Sequence, residues 1–192
     1  MQCESAHLND ARDLAYLINL AGEGIPEYIW SEMAEPGQSP LDVGEQRARR
    51  EEGDFSYRNA RVIRANSELK GMVMSYQLDD PYIVEDIDAL PRVIRPLIAL
   101  EAQVAGSWYI NAIATKANYR GQGVARALLM EAQAYAAKAG ANRLSLIVAS
   151  ENSNAKSLYQ FLGFDVVSSV PMQPWSNTSP SGQWELMVKP LS

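Results

Sequence analysis

Apolar residues recur at helical or strand spacing along most of this chain, separated by polar, proline or glycine-rich breaks. In residues 8 to 33, Leu14, Leu17, Ile18 and Ala21 share one helical face. Gly22 and Gly24 then interrupt, and Tyr28, Ile29, Trp30 and Met33 resume the pattern. Asp42 to Glu52 is expected to form a second, highly charged helix. Ala60 to Asn66 and Lys70 to Leu78 read as strands, and a turn at Asn66-Ser67-Glu68-Leu69 would make them a hairpin. From Ile83 to Ala105 the pattern breaks at Pro91 and Pro96, with helical spacing returning over Val93 to Val104. A strand at 108 to 115 leads to a long helix, and Leu144 to Ala149 is a short apolar run that suits a buried strand. Ser150, Asn152 and Ser153 are helix-capping types and Gly163 is a terminator, so a helix is expected from about 153 to 162. Two last strands, Asp165 to Val170 and Trp184 to Lys189, flank a Pro/Ser/Asn-rich loop containing Trp175. This order predicts an α/β single domain: a mixed, mostly antiparallel sheet with helices on both faces and a helical insert.

The chemistry begins where the strand at 108 to 115 meets the next helix. Gly121 and Gly123 carry no Cβ, so the backbone can turn tightly there and present bare N–H groups. The helix that follows adds its own unpaired N–H groups and the positive end of its dipole. Such a corner favours an anion, a pyrophosphate in particular, and Arg120 adds a full positive charge. A nucleotide-triphosphate loop would need a Lys after the last glycine, and Val124 stands there instead. A dinucleotide fingerprint would need a third small residue where Arg126 stands, and an acidic residue about 20 positions further on.

What remains, Arg120-Gly121-Gln122-Gly123-Val124-Ala125, resembles the Arg/Gln-x-x-Gly-x-Gly/Ala signature of the GNAT superfamily of acetyl-CoA-dependent N-acetyltransferases. A second segment strengthens the resemblance. Asn152, Ala155, Leu158, Tyr159, Gly163 and Phe164 match the family pattern Asn-x-x-Ala-x-x-Leu-Tyr-x-x-x-Gly-Phe. The likeness covers residues 58 to 170 and is densest from 108 to 164. It implies that the glycine loop holds the coenzyme A pyrophosphate and that the pantetheine arm bonds the backbone of Ile113, Ala114 and Thr115. It also implies parallel, splayed strands at 108 to 115 and 144 to 149.

The spacing of Asn152, Ala155 and Tyr159, at zero, three and seven, puts an amide, a small residue and a phenol on one helix face. In the family the Asn contacts the coenzyme and the Tyr protonates the leaving thiolate; a core aromatic with its hydroxyl at the surface would show the same pattern. A base or water chain must take the proton of the amine, and Glu101, Glu85, Asp79 and Glu27 are the candidates. The resemblance further implies acceptor-side helices over 1 to 57, an acetyl-CoA-binding core over 108 to 164, and a homodimer. The stretch over 79 to 106 is longer than the family's usual connection and is expected to be a helical insert over the acceptor site or a dimer contact. Acyltransfer from another acyl-CoA, or non-catalytic acyl-CoA sensing, would keep the same motifs.

Charge sharpens this reading. The formal net charge of −6 argues against nucleic acid as a partner. Residues 110 to 160 run the other way, with Lys116, Arg120, Arg126, Lys138, Arg143 and Lys156 against Glu131 and Glu151. That local excess suits a polyphosphate, whereas the acidic residues crowd the first 54 positions and 79 to 101, where they would attract a cationic amine. The acceptor is expected to be a small-molecule or peptide amine, with Tyr28 and Trp30 as pocket walls or as packing residues. A lone Cys3, a start without a basic and apolar leader, and no apolar run long enough to span a bilayer suggest a cytoplasmic protein. One His and one Cys make a zinc site improbable.

Overall fold

The computed structural model describes residues 1–66, 68–176, 178 and 181–191. Seven strands form one sheet in the order β1-β2-β3-β4-β5-β7-β6. They are β1 (Cys3–Ser5), β2 (Ala60–Ala65), β3 (Glu68–Gln77), β4 (Trp108–Thr115), β5 (Arg143–Ala149), β6 (Asp165–Pro171) and β7 (Gln183–Pro190). The helices are α1 (Ala11–Ala21), α2 (Ile25–Met33), α3 (Pro40–Ala48), α4 (Arg95–Glu101), α5 (Val124–Lys138) and α6 (Ser153–Phe161). This is the mixed, mostly antiparallel α/β domain that the residue pattern predicts, with β4 and β5 as its parallel pair. Contacts within it fall into two compact units, residues 1–76 with 111–133, and 77–110 with 134 onward.

In the first unit the helices form where apolar residues repeat at three and four. Leu14, Leu17 and Ile18 of α1 are buried with Trp30 of α2, Val43 of α3, and Met72 and Met74 of β3. The charged helix starts two residues earlier than its composition suggests, because Ser39 and Asp42 form a reciprocal cap around Pro40. The Ser39 hydroxyl, then the Arg12 guanidinium, holds the Asp42 carboxyl down at about 2. The helix ends at Ala48 rather than Glu52. β2 and β3 pair antiparallel from Ala60↔Met74 to Ala65↔Glu68, so the connection is tighter than the expected four residues. Its Asn66 has φ 49°, and Ser67 lies outside the described residues.

One strand has no counterpart in the sequence reading. β1 is three residues long, too short to show alternation, and pairs Cys3 with Ile63 and Ser5 with Arg61. Side chains secure it: Arg64 reaches Glu4 and Asp10, each at 2.5 Å. Arg61 reaches Glu131 on α5 at 2.7 Å.

In the second unit β4 and β5 pair in parallel over Trp108↔Leu144, Tyr109↔Ser145 and Ile110↔Leu146, and both strands continue beyond. A buried contact between the Ser107 and Ser145 hydroxyls, 2.6 Å apart, lies beside that start. β5 and β7 pair along their length, from Arg143↔Pro190 to Ala149↔Trp184. The 79–106 segment is closed at its base, where the Leu78 amide donates to the Ser107 carbonyl and the Gly106 amide to the Asp79 carbonyl. It is less helical than its spacing suggests. The helical pattern over 93 to 104 becomes the seven-residue α4 and one 3-10 turn, with Leu100 and Val104 buried. No helix among the described residues is long and apolar enough to cross a membrane.

Candidate active site

The first unit carries the proposed coenzyme residues from Ile113 to Ala125 in one continuous run. β4 ends at Thr115, a 3-10 turn spans Ala117–Tyr119, and Arg120 is extended with φ −66° and ψ 154°. Gly121 and Gly123 follow at φ 72° and 80°, the left-handed region that costs an L-residue roughly 1–2 kcal/mol. A Cβ built on either glycine meets nothing within 4 Å, so open space faces the loop. The Gly123 carbonyl accepts from the Ala127 amide at 3.0 Å, which opens α5 and leaves its first-turn N–H groups without intrahelical acceptors. Val124 is buried and Ala125 half-buried, so these two seat the helix while the loop stays exposed. Gln122 turns back, donating from Nε2 to the Asn118 carbonyl at 3.1 Å. The Arg120 guanidinium is exposed and makes no ion pair among the described residues.

Two features of β4 bear on a ligand. The Thr115 Oγ1 is buried without a hydrogen-bond partner among the described residues, a cost that a bound acceptor or donor would remove. The Ala114 carbonyl lies only 2.6 Å from where Gly71 would carry a Cβ, and Thr115 Cα lies 3.3 Å from it. Gly71 therefore permits a close backbone approach that fixes Ala114 and Thr115 in place. A glycine inside a strand pattern was the available signal for this, and the sequence reading did not use it.

The turn into the loop is braced by charge. Lys116 Nζ contacts Asp13 at 3.1 Å and Glu68 at 3.6 Å, while the Tyr119 hydroxyl donates to Glu68 at 2.8 Å. Lys70 Nζ sits 5.0 Å from the centre of the Tyr119 ring. Lys156 is likewise occupied, by Glu185 at 2.8 Å. Two of the six cations counted toward a polyphosphate are thus spent on internal carboxylates, a partnering that linear sequence does not display.

Asn152, Ala155 and Tyr159 stand in the second unit on α6. Asn152 is its N-cap, with the side-chain oxygen accepting from the Ala155 amide at 3.3 Å. Tyr159 is buried, its ring 6.0 Å from that of Phe164 and tilted by 58°. Burial pushes its phenol up to about 12, so it stays protonated at neutral pH. Among the described residues its hydroxyl has no hydrogen-bond partner. Of the four candidate bases, Glu101 is buried and accepts from the Tyr82 hydroxyl at 2.5 Å. Glu27 accepts from Asn19 at 3.0 Å, and Asp79 and Glu85 are exposed.

Asn152→Ala should destabilise the protein by about 1 kcal/mol through loss of the cap, whereas Asn152→Asp should retain stability. Thermal unfolding of the two variants checks this; equal loss in both would exclude capping as its structural role.

Several solved structures with this architecture are described as acetyltransferases. One described simply as an acetyltransferase superposes with a TM-score of 0.69 at 19% identity, covering 100% of both chains. A ribosomal-protein-alanine N-acetyltransferase from Brucella melitensis gives 0.63 at 17%, again over 100% of both. A NatC complex bound to Gag peptide and CoA gives 0.57 at 16%, over 100% of this chain and 98% of that one. Identities this low establish the fold alone. A search of curated protein sequences finds no match. The model of the acetyltransferase (GNAT) family matches residues 26–164, well over half of the chain, and the chain belongs to that family.

Proposed function

We propose that this protein is an N-acetyltransferase that moves an acetyl group from acetyl-CoA to a primary amine in a ternary complex. The observation that carries the reading is the left-handed pair Gly121 and Gly123, open in front and opening directly onto α5. Their amides, those of Gln122, Val124 and Ala125, and the Arg120 guanidinium suit a pyrophosphate. The backbone of Ile113, Ala114 and Thr115, with the orphaned Thr115 hydroxyl, suits the amides of a pantetheine arm. Asn152 and Ala155 complete the coenzyme contacts on α6.

Bound acetyl-CoA supplies a thioester-activated acetyl group, which a neutral amine takes as the N–C bond forms and the C–S bond breaks. The chain's residues act mainly by holding the two reactants together. Backbone N–H groups near Ile113 to Thr115 stabilise the developing oxyanion. Tyr159 gives its proton to the departing sulfur, for which a phenol that stays fully protonated at neutral pH is suited. Glu101 is the buried candidate for the amine proton, directly or through water.

The acceptor is a small-molecule or peptide amine; the Brucella melitensis neighbour, by its name, acts on ribosomal-protein alanine. The helices within residues 1–57 and the 79–106 insert would shape its binding site. The same reading takes the protein as a cytoplasmic homodimer that needs neither nucleic acid nor membrane.

Titration calorimetry with acetyl-CoA tests the proposal on the wild type and a Gly123→Glu variant. The wild type should bind, and the folded variant should bind at least about a hundredfold more weakly, because a carboxylate faces the pyrophosphate and φ is strained. No binding by the wild type would overturn the reading.

A further inference from the structure

We propose that the cleft between the end of α2 and α3 binds a small aliphatic monocarboxylate, its carboxylate held by Arg47 and Arg50. The cleft has a volume of about 260 Å³ and lies within the first unit. Met33 and Val43 form its apolar wall, and Gln46, Arg47, Arg50 and Glu35 its polar one. The proposal is independent of the acetyl-transfer reading.

The α3 sequence sets up the arrangement. Val43, Gln46 and Arg47 lie at three- and four-residue spacing on one face of α3, and Arg50 follows just beyond the helix end, its amide donating to the Arg47 carbonyl at 3.3 Å. The acidic residues of α3 point elsewhere. Asp42 and Glu45 both pair with Arg12 at 2.9 Å, and Glu45 also pairs with Arg49 at 3.0 Å. Arg47 and Arg50 make no ion pair with any carboxylate among the described residues. Two like charges left together in a concave, partly buried place favour an anion between them. In accord with that, burial and the nearby Arg50 lower the pKa of Arg47.

Arg47 is also held rigidly. Its guanidinium carbon lies 5.4 Å from the centre of the Phe55 ring. Phe55 meets Trp30 edge to face at 6.0 Å and 84°. Trp30 in turn packs so closely on Gly44 that a Cβ there would lie 2.5 Å from its ring. A guanidinium fixed by a stack of this kind loses little freedom on binding a planar carboxylate in a bidentate manner. Arg47 stands in the last turn of α3, where a cation also offsets the helix dipole, and its place in the cleft lining adds a second setting for its charge.

Ligand charge and size follow from the rest of the lining. Arg47, Arg50 and Glu35 sum to one positive charge, which matches a monoanion and disfavours a phosphate dianion. Met33 and Val43 suit a short alkyl chain.

The test uses the full chain with backbone NMR, titrated separately with butyrate, butyramide and inorganic phosphate. Saturable butyrate shifts are expected at Gln46, Arg50 and Gln38, which also lines the cleft, with butyramide silent and phosphate weaker. Arg50→Gln, which leaves the Phe55 stack intact, should weaken butyrate about tenfold or more. Arg47→Lys should weaken it less than Arg47→Gln, since charge survives without the fork. No saturable shift, equal response to butyramide or phosphate, or unchanged affinity in Arg50→Gln would overturn the proposal.

Discussion

Tyr159→Phe is expected to lower kcat by about a hundredfold or more while leaving acetyl-CoA affinity nearly unchanged. The phenol of Tyr159 on α6 keeps its proton in place at neutral pH and so has one to give to a strongly basic thiolate. Burial holds it near 12 rather than 10, and no described residue takes its hydrogen bond. Removing the oxygen creates no large cavity, so the variant should fold at least as stably as the wild type. A loss of turnover with binding and melting temperature intact would identify Tyr159 as the acid that protonates the thiolate. Full turnover in the variant would leave it as a packing residue against Phe164. Binding without turnover in the wild type, across a broad amine panel, would instead favour an acyl-CoA sensor.

The same shift makes a pH prediction. A phenol that keeps its proton longer in the folded state contributes stability fully below pH 10, its unfolded value. That contribution is lost as pH rises from about 10 to about 12. Chemical denaturation across this window should show a fall in stability that Tyr159→Phe lacks.

How much of this was legible in sequence depends on whether the information was local. β4, β5 and α6 end within a residue or two of their expected bounds, because apolar runs, cap residues and Gly163 are all local signals. β1 carried none, since its order comes from pairing with β2 and from Arg61 and Arg64, some 60 positions away. α3 was misplaced because charge continues past Ala48 after helical structure stops, although the Ser39 and Asp42 cap was there to be read. The glycine loop was readable from its residues, but its surplus of charge was overstated, for Lys116 and Lys156 find carboxylates through the fold. Arg47 and Arg50 fall inside the stretch expected as a highly charged helix, and their setting comes from Phe55 and the cleft, which linear sequence does not display.

Gly71→Val should cost about 1–3 kcal/mol of stability and weaken acetyl-CoA binding about tenfold or more. The two effects share one cause. The new Cβ would fall 2.6 Å from the Ala114 carbonyl, 3.0 Å from Val124 Cγ1 and 3.3 Å from Thr115 Cα. Only the Val124 contact can yield by side-chain movement; the other two require the β4 backbone to shift. That backbone is what the proposed pantetheine contacts rely on, and Val124 seats α5 behind the glycine loop. Gly121→Ala offers the contrast, because open space surrounds that residue and only its φ of 72° is strained. It should cost roughly 1–2 kcal/mol locally without moving β4. If Gly71→Val bound acetyl-CoA as tightly as wild type despite lowered stability, Ala114 and Thr115 would have no part in holding the coenzyme. If binding fell in proportion to the displacement, with Gly71→Ala intermediate, β4 would be the strand on which the coenzyme lies.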